Sequence, residues 1–200
     1  MKILFVCTGN TCRSPMAEAL LKFKKPDAEV KSAGIFAAKN QRASKHALHA
    51  LDIKGIPLNH LSNPVEEKLL NWADVVLTMT TQHKQSLIMQ FPNFQDKYYT
   101  LKEFVSDSDK KVWDELKKVY GEYEMKRSSF IKENQHKLDN LLLEQKLREH
   151  LQPEAEKIQQ LESNLINYDI SDPFGGDLST YQQTLDELEG YIELLLKKYK

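Results

Sequence analysis

Apolar residues fall along this chain in two different rhythms. Near the start, Ile3-Leu4-Phe5-Val6 is a continuous, partly β-branched apolar run that ends in Thr8-Gly9-Asn10. Apolar side chains at consecutive positions predict a strand buried on both faces, hence a central strand of a parallel sheet. Ser14-Pro15 then predicts a helix start, with Ser as the cap, Pro in the first turn, and Met16, Ala19, Leu20 and Phe23 along one face. The alternation continues with a strand over 29–33 ended by Gly34, a helix over 43–51 and a short helix over 65–72. A Val- and Leu-rich strand over 74–79, a helix over 82–91 stopped by Pro92, and a fourth strand over 97–101 complete it. Strands alternating with helices predict an α/β fold, a doubly wound four-stranded parallel sheet flanked by helices.

From residue 106 to 168 the rhythm changes. Gly and Pro all but vanish, and Lys, Glu, Gln and Leu dominate. Trp113, Leu116, Tyr120, Tyr123, Arg127 and Phe130 keep a three-then-four spacing, as do Ile158, Leu161, Leu165 and Tyr168. This pattern predicts helices packing on helices, an inserted α-helical protrusion over 107–168 between the halves 1–106 and 169–200 of the sheet domain. Its charges alternate in sign, as on a solvated helical face. After Asp172-Pro173-Phe174-Gly175-Gly176, a last helix carries Leu178, Tyr181, Leu185, Leu188, Ile192 and Leu195 as one apolar stripe, with Ser179 and Gln182 placed as a capping box.

Composition narrows the function. The 200 residues carry 28 basic and 29 acidic side chains, a formal net charge of -1, which gives no general attraction to nucleic acid or anionic membrane. Neither is expected as a partner. Two cysteines, Cys7 and Cys12, cannot scaffold a chain of this size, and no His or Cys cluster has metal-ligand spacing, so neither a metal nor another cofactor is expected. The opening apolar run is too short for a signal peptide and no stretch is long enough to span a bilayer, so a cytoplasmic chain with reduced thiols is expected.

The candidate chemistry lies in the turn between the first strand and helix, Cys7-Thr8-Gly9-Asn10-Thr11-Cys12-Arg13-Ser14. It sits at the carboxyl end of a parallel strand, where α/β folds bind ligands. Gly9 and Asn10 tolerate left-handed backbone angles, so successive N–H groups can curl into an anion nest, and the positive end of the next helix points to the same spot. Arg13 adds a planar fork matched to two phosphoryl oxygens. Such positive surroundings bind a phosphoryl dianion and favour the nucleophilic thiolate of Cys7, to which Ser14 can donate a hydrogen bond. Each piece alone has an ordinary reading, as a buried thiol, a surface cation or a helix cap. Together, joining a buried strand to a helix, they are hard to reach by chance. Asp172, at the head of a turn-rich segment with Pro173 behind it, is the candidate proton donor to the leaving group, though Asp-Pro alone is more often a turn starter.

Cys7 to Ser14, Pro15-Met16-Ala17-Glu18 and the late Asp172-Pro173 resemble the low-molecular-weight protein tyrosine phosphatases, over residues 1–105 and 170–200. The resemblance implies a hydrolase without a metal, with Cys7 as nucleophile, Arg13 as phosphoryl clamp and Asp172 as general acid, then base toward water. It further implies that Asn10 holds the loop in a strained shape with His60 as a buried hydrogen-bond partner, and that Cys12 can bond Cys7 under oxidation. Thr11 stands where tyrosine-directed members carry a bulky aliphatic residue. A threonine there is similar to the bacterial protein-arginine phosphatase branch, as are Ser32-Ala33-Gly34-Ile35-Phe36 and Thr78-Met79-Thr80. A hydroxyl on the pocket wall can meet a polar guanidinium, which an aliphatic side chain cannot. Phe36 and Phe174 are candidate aromatic walls, with core packing as the competing role.

The resemblance thus implies phosphoarginine on proteins as substrate, with phosphotyrosine as runner-up. A phosphoprotein-binding adaptor shares the loop but predicts no turnover; a thioredoxin-coupled arsenate reductase needs downstream cysteines that the chain lacks. Members are compact at roughly 150 residues, so about 50 extra residues precede Asp172. A straight helix from Val112 to His150 would run ~58 Å, and the return from Leu151 to Ser171, with Glu154 to Tyr168 helical, reaches only ~43 Å. The outgoing helix is therefore expected to break, near Gly121 or Ser128-Ser129, and the protrusion offers a surface for a partner or for self-association.

Overall fold

The first apolar run forms β1 (Ile3–Cys7), with all five residues buried. It pairs in parallel with β2 (Val30–Gly34) on one side, Ile3 opposite Val30 and Cys7 opposite Gly34, and with β3 (Val75–Thr78) on the other. β3 in turn pairs in parallel with β4 (Tyr98–Thr100), giving the order β2-β1-β3-β4. In this computed structural model the described residues are 1–106, 110–163 and 167–198.

Alternate residues of β1 face opposite ways, as the pleat requires. Ile3, Phe5 and Cys7 join one apolar cluster with Met16, Leu20, Leu51, Leu188 and Ile192; Leu4 and Val6 join the other with Leu70, Val76, Leu87 and Tyr98. The first cluster is closed by α1 (Arg13–Lys24), α2 (Lys45–Ile53), α5 (Leu101–Val105) and α8 (Leu178–Lys198), and the second by α3 (Glu67–Trp72) and α4 (Thr81–Gln90). Helices on both faces of a parallel sheet make the doubly wound architecture. In α8, Tyr181, Leu185, Leu188, Ile192 and Leu195 are all buried, the stripe that the spacing predicts.

Four details differ from the sequence expectations. Ser14 is not the cap of α1: the helix starts at Arg13, the capping position is Cys12, and the Ser14 hydroxyl turns to the Cys7 sulfur. Phe23 is 54% exposed, beyond the edge of the buried stripe. The start of α8 is capped by Asp177, whose Oδ1 accepts from the Thr180 N–H at 3.0 Å, and Ser179 donates to the same carboxylate rather than forming a box with Gln182. A six-residue 3-10 helix (Pro92–Lys97) and the short α5, neither expected, flank β4.

The chain divides into two compact units, Met1–Val105 with Tyr168–Lys200, and Ser106–Asn167. The second is a hairpin of α6 (Lys110–Asn134) and α7 (Asn140–Ser163), antiparallel because Lys126 pairs with Glu154, Lys157 with Glu115, and Phe130 stacks on His150. The reversal falls at 135–139, not at Gly121 or Ser128-Ser129. Gly121 is exposed with nothing near its absent Cβ, so the helix runs through it at the modest cost of one glycine. The signals that act are Asn134, whose amide donates to the Phe130 carbonyl at 2.8 Å, and Asp139, whose Oδ1 caps α7 through the Leu142 N–H at 2.9 Å. α7 runs through Pro153 without ending. Leu116 is buried as expected, but Tyr120 is 43% exposed and Arg127 faces outward; Leu165 and the Trp113 side chain lie outside the described residues.

Candidate active site

The turn after β1 wraps a cavity of about 190 Å³ at the carboxyl end of the sheet. Cys7, Thr8, Gly9 and Thr11 line one side, and Cys12, Arg13, Asp172 and Phe174 complete it. Its size suits the end of one modified side chain. Cys7 is 3% exposed, and its Sγ lies 3.0 Å from the Ser14 hydroxyl. Because α1 begins at Arg13, its unpaired first-turn N–H groups and its dipole face this cavity, and both favour an anion.

The loop keeps its shape through Asn10. This residue is fully buried with φ 54, the left-handed region that Asn tolerates better than most. Its Nδ2 donates to Ser14 Oγ and Ser32 Oγ, each at 2.9 Å, and its Oδ1 accepts from the Asn63 N–H at 2.9 Å. Ser32 donates onward to Glu18 at 2.6 Å. His60 Nε2 lies 2.9 Å from the Asn10 carbonyl oxygen, so the expected partnership exists, although His60 is half-buried rather than buried. Gly9 differs from expectation: the positive φ belongs to Asn10, not to Gly9. The glycine that the loop needs is Gly34, where a Cβ would come within 2.7 Å of the Thr8 carbonyl oxygen and 2.8 Å of the Asn10 nitrogen. That contact follows from the pairing of Cys7 with Gly34.

Arg13 is 4% exposed; its Nη2 donates to Asp172 Oδ2 at 2.7 Å and its Nη1 to the Ile170 carbonyl at 3.3 Å. The Asp172 side chain is 53% exposed, so one carboxylate touches both the buried guanidinium and solvent. The Phe174 N–H donates to the other carboxylate oxygen at 3.2 Å, and Gly175 turns the chain at φ 81. Phe174 lines the cavity while remaining 81% exposed. Phe36 does neither of the things considered for it: it is 74% exposed, joins no core cluster and does not line the cavity, its N–H being tied to the Thr8 carbonyl at 2.9 Å.

Cys12 is buried, with its Sγ 3.3 Å from the Tyr181 hydroxyl and 3.7 Å from Thr11 Oγ1, and both cysteines are free thiols. Burial first, and then the bond to Cys12, push the Tyr181 phenol up. The sequence reading also missed His83, 8% exposed on the first turn of α4, with Nε2 2.8 Å from Thr8 Oγ1. Burial, reinforced by the Arg13 guanidinium, lowers its pKa from 6.5 to about 4, so it is neutral at pH 7. A histidine just past the carboxyl end of the strand next to β1 was the available signal. Among the described residues, no group of three His, Cys, Asp or Glu side chains gathers to hold a metal ion, and no helix is long and apolar enough to cross a membrane.

A thiol at a strand end, a helix N-terminus, a buried guanidinium and a carboxylate in one small cavity are equipped for displacement at phosphorus. The sequence profile described as low molecular weight phosphotyrosine protein phosphatase matches residues 2–153. The chain belongs to this family. It is 38% identical over 204 residues to the protein-arginine-phosphatase of Bacillus subtilis, covering 100% of this chain and 97% of the relative. It is 37% identical over 198 residues to the protein-arginine-phosphatase of Geobacillus stearothermophilus, covering 98% of this chain and 95% of that one. A crystal structure of a YwlE mutant from Bacillus subtilis superposes with TM-score 0.68 at 36% identity, over 100% of this chain and 98% of the other. Thr11 lines the cavity, with its hydroxyl 3.7 Å from the Cys12 Sγ.

Proposed function

We propose that this phosphatase hydrolyses phosphoarginine on proteins through a cysteinyl-phosphate intermediate. The observation that carries the reading is one cavity lined by Cys7, Thr11, Arg13 and Asp172 together. Full-length similarity to two protein-arginine phosphatases supports it.

In this reading the phosphoryl oxygens lie among the N–H groups of residues 8–13 and the Arg13 fork, an arrangement set before substrate arrives and therefore effective in the transition state. The Cys7 thiolate attacks phosphorus, forming the S–P bond as the P–N bond breaks. The electron pair of that bond goes to the leaving nitrogen, which takes the proton of Asp172, so that the arginine side chain departs as a guanidinium. A water then attacks phosphorus, gives its proton to the Asp172 carboxylate, and displaces the thiolate with inorganic phosphate. Ser14, 3.0 Å from the sulfur, stabilises the thiolate at both ends of the cycle. Without protonation the leaving nitrogen is far too basic to depart, which makes Asp172 more important here than for a phenol.

Thr11 decides the substrate class. Its hydroxyl gives the guanidinium an acceptor; an aliphatic side chain leaves a buried donor unpaired, at about 1–3 kcal/mol. Thr11→Ile should therefore lower kcat/KM on a phosphoarginine protein about 5- to 150-fold while holding or raising it on a phosphotyrosine peptide. Unchanged preference in that comparison contradicts the arginine assignment. It would leave tyrosine phosphatase, which the family description supports, as the function. A nucleophilic thiol with a second thiol beside it works in a reducing compartment, so we place the protein in the cytoplasm, with segments 1–106 and 169–200 as the catalytic domain and 107–168 as an insertion.

A further inference from the structure

Asp172 lies on a segment with no regular secondary structure, half exposed, yet a proton donor must be held within hydrogen-bond reach of its target. The bond to Arg13 does not suffice, because the same fork is needed for the phosphoryl group. The residue before it is anchored differently. The Ser171 N–H donates to Glu187 Oε2 at 3.1 Å, and the Ser171 hydroxyl donates to the same oxygen at 2.7 Å. The hydroxyl also lies 3.0 Å from Thr184 Oγ1, and Thr184 is 1% exposed. The other oxygen of Glu187 accepts from Lys102 Nζ at 2.7 Å, and that lysine is 7% exposed, with its ammonium 5.1 Å from the Tyr191 ring centroid.

A lysine that deep is costly unless paired, so Lys102 fixes the carboxylate, and the carboxylate fixes Ser171. Burial alone would raise the pKa of Glu187, but Lys102 and the two Ser171 donors outweigh it and hold the group below its ordinary value, so it stays an anion. Lys102 stands on α5, where the chain leaves for the second unit, and Ser171 follows the point where it returns.

We propose that Glu187 is a positioning residue for Asp172, holding Ser171 by both its N–H and its hydroxyl so that the next side chain stays in the cavity wall. This rests on Asp172 acting as the proton donor. Glu187 touches neither substrate nor the reacting atoms; it works through the intervening backbone. Its effect must therefore depend on how much protonation the leaving group needs.

The test uses the full chain, phosphoarginine, and a series of aryl phosphates of graded leaving-group basicity that includes p-nitrophenyl phosphate. kcat/KM is measured for wild type, Glu187→Gln, Ser171→Ala and Asp172→Ala. Ser171→Ala keeps the Lys102–Glu187 pair and so reports even where Glu187→Gln folds poorly. The expected result is a steeper dependence on leaving-group basicity in all three. For Glu187→Gln and Ser171→Ala we expect a loss of about 10-fold with phosphoarginine, within about 2-fold with p-nitrophenyl phosphate, and competitive inhibition by inorganic phosphate unchanged. An equal fall on every substrate, with the wild-type slope, overturns the proposal and makes Glu187 merely structural. A wild-type slope for Asp172→Ala instead overturns the underlying assignment of the acid, while a steep slope for Asp172→Ala alone overturns only the role of Glu187.

Discussion

The two segments that meet in the cavity are held by different means. The loop from Cys7 to Ser14 is largely buried, and its shape is fixed from behind: Asn10 is fully buried with three side-chain hydrogen bonds, Ser14 is fully buried, and Gly34 lets the neighbouring strand lie against it. The segment from Asp172 to Gly176 has an exposed carboxylate and an exposed phenylalanine, and is tied at its root, through Ser171 to Glu187 and through the Ile170 N–H to the Met79 carbonyl at 2.7 Å. The difference follows from the two tasks. Binding a dianion in the transition state needs donors that do not rearrange, and that half is held by hydrogen bonds of the buried Asn10 side chain. Moving a proton to a leaving group and then from water needs a carboxyl that reaches both cavity and solvent.

Breaking the exposed half should hurt chemistry and spare the fold. Asp172→Ala is expected to lower kcat on phosphoarginine by about 10² to 10⁴, with Tm close to wild type, because the side chain has one ion pair and is half exposed. A fall in Tm that accounts for the lost activity would contradict the division. Breaking the buried half should do the opposite first. Asn10→Ala leaves Ser32, Ser14 and the Asn63 N–H short of a partner and forces alanine to φ 54. At about 1 kcal/mol for each bond and about 1 for the backbone, denaturant unfolding should show a loss of about 4 kcal/mol.

His83 sharpens the same contrast through pH. The fold lowers its pKa from 6.5 to about 4, so the unfolded chain takes up a proton that the folded one refuses. Its contribution is intact above pH 6.5 and is lost as pH falls toward 4, by at most about 3 kcal/mol. His83→Gln, which can still meet Thr8, should flatten the stability curve between pH 6.5 and 4.5; an unchanged slope would show that His83 is not buried neutral.

The legible parts of the molecule are those whose cause is local. Five consecutive buried residues in β1 and the stripe of α8 are written directly in the apolar pattern, and the thiol, the arginine and the cavity loop share one short stretch. What escaped depends on sheet pairing. Gly34 matters because β2 brings it against Cys7, and Ser32 and Asn63 reach Asn10 from 22 and 53 residues away. Ser14 suits both a helix cap and a partner for the Cys7 sulfur, and only the observed helix start at Arg13 separates the two. The hairpin reverses where Asn134 and Asp139 bond the backbone, polar signals weaker to the eye than Gly121. Phe36, a candidate for the pocket, stands exposed, with its N–H bonded to the Thr8 carbonyl.

The most direct test of the account is rapid acid quenching of the full-length enzyme during turnover of a phosphoarginine protein labelled with radioactive phosphate, followed by mapping of the label. The account predicts label on Cys7 in the wild-type enzyme, more of it in Asp172→Ala relative to the turnover rate, and none in Cys7→Ala. Steady release of inorganic phosphate with no label on Cys7, or turnover that survives Cys7→Ala, would contradict it.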